Sequence, residues 1–354
     1  MDTKFDPGFT LINSQSMIVR LSSYGARVMS IKVPDHRSEL RDVVLGYNES
    51  KSLRDPSVNP YFGCTVGRYA GRINNGHFQI DNEDYSLPTN NGNHHLHGGQ
   101  VGFDRYTWEG EPFKNGVRFK RISPAGEEGY PGNLHVEVSF TLSEDNQLSM
   151  EYFAKTDVPT PLNLTNHTYF NLSGEGSPSI NDHQIMIKAD AITEINNQLI
   201  PTGKFLDVTG TPFDFRKEKR IGDNIDSDHP QLIFGNGYDH NFVLDSQKEV
   251  AAVLYDPDSR RQLTIRTDQP GIQFYTANFL DGTIIGKTKK PYPFRSGLCL
   301  ETQHFPDSPN HSHFPSTILR PGQEFRSYTH WHFSALLALI IHLNSASVEW
   351  TGMF

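Results

Sequence analysis

Apolar and polar residues alternate through much of this chain, and helical spacing is almost absent. Between Leu134 and Leu142, the apolar residues Leu134, Val136, Val138, Phe140 and Leu142 take every second position. After the polar turn Ser143-Glu144-Asp145-Asn146, the residues Leu148, Met150 and Tyr152 resume the alternation. Side chains of a strand repeat every two residues, so this pattern predicts a hairpin with one buried face. A second hairpin is expected in HFQIDNEDYSL, where Asp81-Asn82 separates two short β-prone runs. FTLINSQSMIVRL, QIMIKADAITEI and GIQFYTANFL also have strand character, and Gly and Pro punctuate the whole chain. Short strands, frequent turns and no βα alternation predict an all-β fold, a large β-sandwich in one domain.

Two stretches depart from the pattern. Residues 211–235 are polar and turn-rich and read as an excursion over the surface. The end of the chain, ALLALIIHLNSASVEWTGMF, changes character and reads as a short helix, a terminal strand or an appendage. The domain is therefore expected to occupy residues 1–333, with 334–354 a tail without chemistry.

With 354 residues, 36% of them hydrophobic and 23 of them Phe, the chain can fill a large core, which argues against global disorder. Its 32 basic and 41 acidic residues leave a net charge of −9, and no basic run offsets it, so nucleic acid is a poor partner. Cys64 and Cys299 read as buried thiols of a reducing compartment. The N-terminus has neither the basic nor the apolar region of a signal peptide, and the apolar run Ala335–Ile341 is too short to span a bilayer. A cytoplasmic protein without a membrane partner is expected, as a monomer or weak homodimer.

Chemistry-bearing residues gather in four places. The first, residues 59–108, holds Arg68 and Arg72 in GRYAGR and the three histidines of NNGNHHLHGG. GRYAGR lacks the strand–GxGxxG–helix context of a phosphate loop. His94, His95 and His97 are open to metal ligation, but no H-E-x-x-H or paired-Cys spacing accompanies them, and a hydrogen-bonding role is the simpler reading. The second is LNLTNHTYFNLSG, where a strand would turn His167, Tyr169 and Asn171 to one side. Each such group buried without a partner costs about 1–3 kcal/mol, which favours a wet, concave binding face. The third and fourth, GYDHNFVL and GLCLETQHFPDSP, set Asp239 and Glu301 beside apolar strand residues. Each is either a solvated carboxylate at a strand end or, partly buried in a pocket, a base or hydroxyl acceptor.

In their order, YFGCTVGRYAGRINNGHF, NNGNHHLHGG, NLTNHTYFNLSG, GYDHNFVL, PGIQFYTANFLDG and LETQHFPDSPNHSHFPSTILRPG resemble the aldose 1-epimerase family, over about residues 8–333. The resemblance implies a galactose mutarotase-like β-sandwich (a supersandwich) with a sugar cleft on its concave face. It also implies no metal or organic cofactor, and a small-molecule aldose as partner. Matched by motif, Glu301 is the catalytic base and His167 the catalytic acid; Arg72, His97, Asp239 and Gln273 bind the sugar, and Thr168 and Tyr169 fall within a binding segment. The chain departs from the family at Gly71, where an Asn able to touch sugar is common, and at Ala277, where Gly is common. The implied activity is interconversion of α and β anomers of free aldohexoses, with ionised Glu301 taking the anomeric proton and protonated His167 donating to the ring oxygen. Its rivals are a non-catalytic carbohydrate-binding protein, a glycosidase using Asp239 and Glu301, and a hexose-phosphate mutarotase drawing on Arg68 and the Lys287–Lys290 cluster.

Overall fold

A computed structural model describes residues 8–48, 50–55, 60–245, 247 and 249–336. Among these, helix is confined to Ser50–Arg54, Pro230–Gly235 and a few single 3-10 turns. The alternation at Leu134–Leu142 becomes a strand buried at every second residue and paired with Gln147–Thr156, Leu142 opposite Leu148. In the second hairpin Ile80 pairs with Glu83, and Asp81 and Asn82 both take positive φ, 53° and 66°. Two left-handed residues make the turn whose twist matches paired strands, and Asp and Asn tolerate that conformation best after Gly.

These two long strands lie within a nine-stranded antiparallel sheet that also contains Gly116–Ser123, Arg261–Thr267 and Phe325–Ala335. A six-stranded antiparallel sheet follows the order Tyr169–Phe170, Leu298–Gln303, Gly271–Tyr275, Asp239–Leu244, Ala189–Ile195, Pro201–Asp207. A four-stranded sheet is formed by the N-terminal strands, from Gly8–Ile12 to Leu40–Asp42. One apolar cluster joins the inward residues of all three sheets, Val138 and Trp331 from the first, Phe242 and Leu300 from the second, Val19 and Ile31 from the third. QIMIKADAITEI is two strands, Gln184–Ile187 in the large sheet and Ala189–Ile195 in the six-stranded one, so the chain changes sheets at Lys188.

Residues 211–235, expected as a surface excursion, instead contain the short strand Lys219–Arg220 and the helix Pro230–Gly235 and are no loose excursion. Phe213, Phe215, Ile221 and Leu232 are fully buried, and the Phe215 ring meets Phe274 edge-on at 5.7 Å. The expected boundary at residue 333 falls inside the strand Phe325–Ala335, and residues 337–354 of the proposed tail lie outside the described residues.

Arg68 is a structural cation. Its guanidinium is buried and donates to the carbonyls of Ser123, Pro124, Pro131 and Gly132 and to the hydroxyls of Ser123 and Thr160. Burial lowers its pKa to about 10, which still leaves it charged at neutral pH. Arg68→Ala would strand four carbonyls in a dry interior and is expected to destabilise the fold by about 3–5 kcal/mol, read as a lower urea midpoint. Lys287 is committed too, to Asp42 Oδ2 at 2.6 Å and Met29 O at 3.0 Å, while Lys289 and Lys290 are exposed. Arg68 and Lys287 therefore cannot serve a phosphate pocket in the cleft described next.

Candidate active site

The central strands of the six-stranded sheet, Asp239–Leu244, Gly271–Tyr275 and Leu298–Gln303, are largely buried on both faces. Phe242, Phe274 and Leu300 point into the core. Their neighbours point the other way, and antiparallel register aligns them in rows: Asn241 opposite Gln273 opposite Glu301, and Asp239 opposite Tyr275 opposite Cys299 opposite Tyr169. Period-two alternation thus converts three hydrophobic strands into the polar floor of a cleft. All of these except Cys299 line the cleft, together with Gly71, Arg72, His97 and His167.

Two short strands, Arg72–Ile73 and His95–Leu96, bring in the opposite wall, with Arg72 paired to Leu96. His97 follows, its backbone N–H donating to Gly71 O at 3.1 Å while its ring Nδ1 accepts from Gly71 N–H at 3.2 Å. The glycine after it is obligatory: a Cβ on Gly98 would lie 1.8 Å from Gly67 O. Arg72 is oriented by Nε donating to Asn91 Oδ1 at 3.0 Å. Tyr61 closes the site, its ring 4.8 Å from that of His97 and 5.8 Å from that of His167.

At the bottom His167 Nε2 stands 3.7 Å from Glu301 Oε1, with the two residues only 4% and 3% exposed. His167 Nδ1 is 3.5 Å from Cys299 Sγ, a weak hydrogen bond that fixes the ring plane. Glu301 Oε2 has no protein partner and Gln273 Oε1 has none either, while Gln273 Nε2 donates to Asp239 Oδ1 at 2.7 Å. Burial lowers the His167 pKa to about 4 and pushes Glu301 well above the usual carboxylate value, helped by Asp239 and opposed by Arg72. Asp239 is raised and His97 well lowered, both chiefly by burial. Burial therefore favours the neutral pair, carboxylic acid and imidazole, over the expected carboxylate and imidazolium; both forms hold one proton.

His97, His167 and Glu301 also bring ligand-type atoms within 4.8 Å of one another. With Nδ1 of His97 accepting from Gly71, however, the neutral ring carries its proton on Nε2, a donor suited to an oxygen and not a lone pair for a metal. The other two histidines are spent elsewhere: His94 Nδ1 accepts from Asn75 N–H, and His95 bonds Pro88 O and Tyr130 OH.

The expected site residues Arg72, His97, His167, Tyr169, Asp239, Gln273, Glu301 and Gly71 converge on this one cleft. Thr168, expected within a binding segment, is not among the residues lining this cleft; its hydroxyl donates to Asn166 Oδ1 at 2.6 Å. Asn171 likewise turns inward, to Ser296 O at 2.9 Å. Gly71 sits at φ +79°, and a Cβ there would approach Pro306 to 3.0 Å, so even Asn, which tolerates this conformation, would press on that ring. Ala277 holds φ +51°, a left-handed conformation that Gly adopts without strain. Cys64 and Cys299 are both buried free thiols. The sequence reading missed Tyr61, Thr193, Asn241, Tyr275, Phe279 and Gln303 of the cleft wall.

A β-sandwich whose six-stranded sheet carries a buried imidazole–carboxylate pair within a ring of hydrogen-bonding side chains has the groups needed to give and take a proton on a small polar molecule. Residues 7–332 match the family Aldose 1-epimerase. Galactose mutarotase of Sus scrofa is 45% identical over 325 residues, 91% of this chain and 93% of that one. Aldose 1-epimerase of Escherichia coli K12 is 38% identical over 332 residues, 92% and 94% of the two chains. The crystal structure of an aldose epimerase homologue from C. elegans superposes with a TM-score of 0.86 at 30% identity, covering 93% of this chain and 99% of that one. The chain belongs to the aldose 1-epimerase family, with the galactose mutarotase-like fold, and is an epimerase of that class. Among the described residues no helix is long and apolar enough to cross a membrane.

Proposed function

We propose that this protein interconverts the α and β anomers of free aldohexoses such as D-galactose and D-glucose, with Glu301 and His167 as its acid–base pair. The observation that carries this reading is their 3.7 Å approach at the floor of the cleft. Anomer exchange moves a proton off the anomeric hydroxyl and another onto the ring oxygen, and both oxygens are bonded to C1. The acid and the base must therefore converge on one spot, as these two groups do.

In the opening step the Glu301 carboxylate takes the proton of the anomeric hydroxyl. The C1=O bond forms, the C1–ring-oxygen bond breaks, and His167 delivers its proton to the departing ring oxygen. The pair is now carboxylic acid and neutral imidazole, the form that burial favours. After rotation about C1–C2 the acid returns its proton to the carbonyl oxygen, the imidazole takes the hydroxyl proton, and the ring closes on the other face. Arg72 favours the ionised carboxylate at the start, and the Nε2–H of His97 offers a donor to oxygen that gains negative charge. Asp239, held by Gln273, supplies an acceptor for ring hydroxyls.

Polarimetry on freshly dissolved α-D-galactose and α-D-glucose tests the reading: optical rotation should relax much faster than in buffer, and relaxation at the buffer rate alone would reject it. Glucose 6-phosphate should be a far poorer substrate, because Arg68 and Lys287 are engaged elsewhere and two carboxylates face the ligand.

A further inference from the structure

The acid–base chemistry leaves part of the cleft floor unused. Asn241 is 1% exposed, and neither its Oδ1 nor its Nδ2 has a protein partner. Gln303, also 1% exposed, has an unpartnered Oε1, and Thr193 an unpartnered Oγ1. All three line the cleft. Their direction follows from strand parity: Asn241 lies two residues from Asp239 and level with Gln273, while Gln303 lies two residues from Glu301. Gly271 is the residue opposite Gln303, and a Cβ there would stand 2.4 Å from Asn241 Oδ1 and 3.0 Å from the Phe305 ring. The missing side chain is what gives the Asn241 amide its place. Buried amides without partners are rare in folded proteins and point to an absent ligand group.

Resting on the sugar-epimerase reading above, we propose that Asn241 and Gln303, with Thr193, form a second hydroxyl-binding row that grips the sugar away from C1 and selects among aldoses. An amide offers one donor and one acceptor edge without charge, which fits a hydroxyl, itself both donor and acceptor. Phosphate or carboxylate substituents are disfavoured, because Asp239 and Glu301 stand two residues away on the same strands and the same face. A sugar lacking the matching hydroxyl leaves the buried amide unpaired again, and sites built this way discriminate strongly.

The test is the nearly isosteric Asn241→Leu, with Gln303→Met as a second variant should the first fail to fold. Galactose binding is measured by calorimetry, and KM and kcat by polarimetry, across D-galactose and its monodeoxy analogues. The expected result is a KM and Kd for galactose raised about tenfold, with a smaller loss in kcat. For the one analogue lacking the partner hydroxyl, variant and wild type should bind alike. Unchanged Kd in both variants, or an equal penalty on every analogue, would overturn the proposal. Because calorimetry needs no turnover, a wild type that binds galactose but fails to mutarotate it would reject the broader reading while leaving this one open to the same comparison.

Discussion

Glu301→Gln is expected to lower the enzyme-dependent mutarotation rate by about 10²–10⁴-fold, the usual contribution of one general acid–base group. At 1.36 kcal/mol per decade, the middle of that range is about 4 kcal/mol of transition-state stabilisation. Gln keeps the shape and the hydrogen-bonding capacity of the side chain but cannot accept a proton. Burial already favours the uncharged carboxylic acid here, so the fold should tolerate the neutral amide, and denaturant unfolding should show a midpoint near that of the wild type. Galactose affinity should change little, because the loss falls on kcat. The residual activity should be flat above about pH 5, since His167, with its pKa near 4, is then unprotonated and is the only base left in the pair. Wild-type turnover in this variant would remove Glu301 from the chemistry.

Much of this site was legible because its residues lie on strands. The alternation that buries Leu134, Val136 and Val138 also dictates that Asp239 and Asn241 share a face, as do Glu301 and Gln303. Asn241 and Gln303 were thus within reach of a parity argument, had it been carried two residues past each carboxylate. The same rule speaks against Thr168: if His167 and Tyr169 face the cleft, the residue between them faces away. Tyr61 had no such signal, because it sits in a loop with φ +67° and reaches the site only by the path of its backbone. Sheet order was also out of reach, since the pairing of Leu298–Gln303 with both Tyr169–Phe170 and Gly271–Tyr275 joins distant parts of the chain. Protonation was least legible of all. Whether a carboxylate and an imidazole exist as an ion pair depends on how far the surrounding chain desolvates them, and that is a tertiary property.

The consequence of that desolvation is the second large effect, read in His167→Asn and in the pH dependence together. Wild-type catalysis requires the pair to hold one proton, on either member. A second proton, arriving on His167, blocks the cycle, so kcat/KM should fall as pH drops through about 4. Loss of the single proton also blocks it, and the raised affinity of Glu301 for protons moves that alkaline limb well above the ordinary carboxylate range. The opposed shifts thus widen the active window on both sides, the two limits belonging to the pair as a unit. Removing the imidazole should cost about 10²–10⁴-fold. It should also invert the slope: with Glu301 the only remaining member, residual activity needs its carboxylate form and should rise with pH through the interval where the wild type declines. Polarimetric profiles of kcat/KM for both proteins, corrected for the spontaneous reaction at each pH, make the comparison. Parallel profiles of undiminished amplitude would show that His167 takes no part in moving the proton. Parallel profiles at reduced amplitude would limit the ring to holding the sugar, its tilted and edge-on contacts with Tyr61, Tyr169 and His97 then serving only to hold it in place.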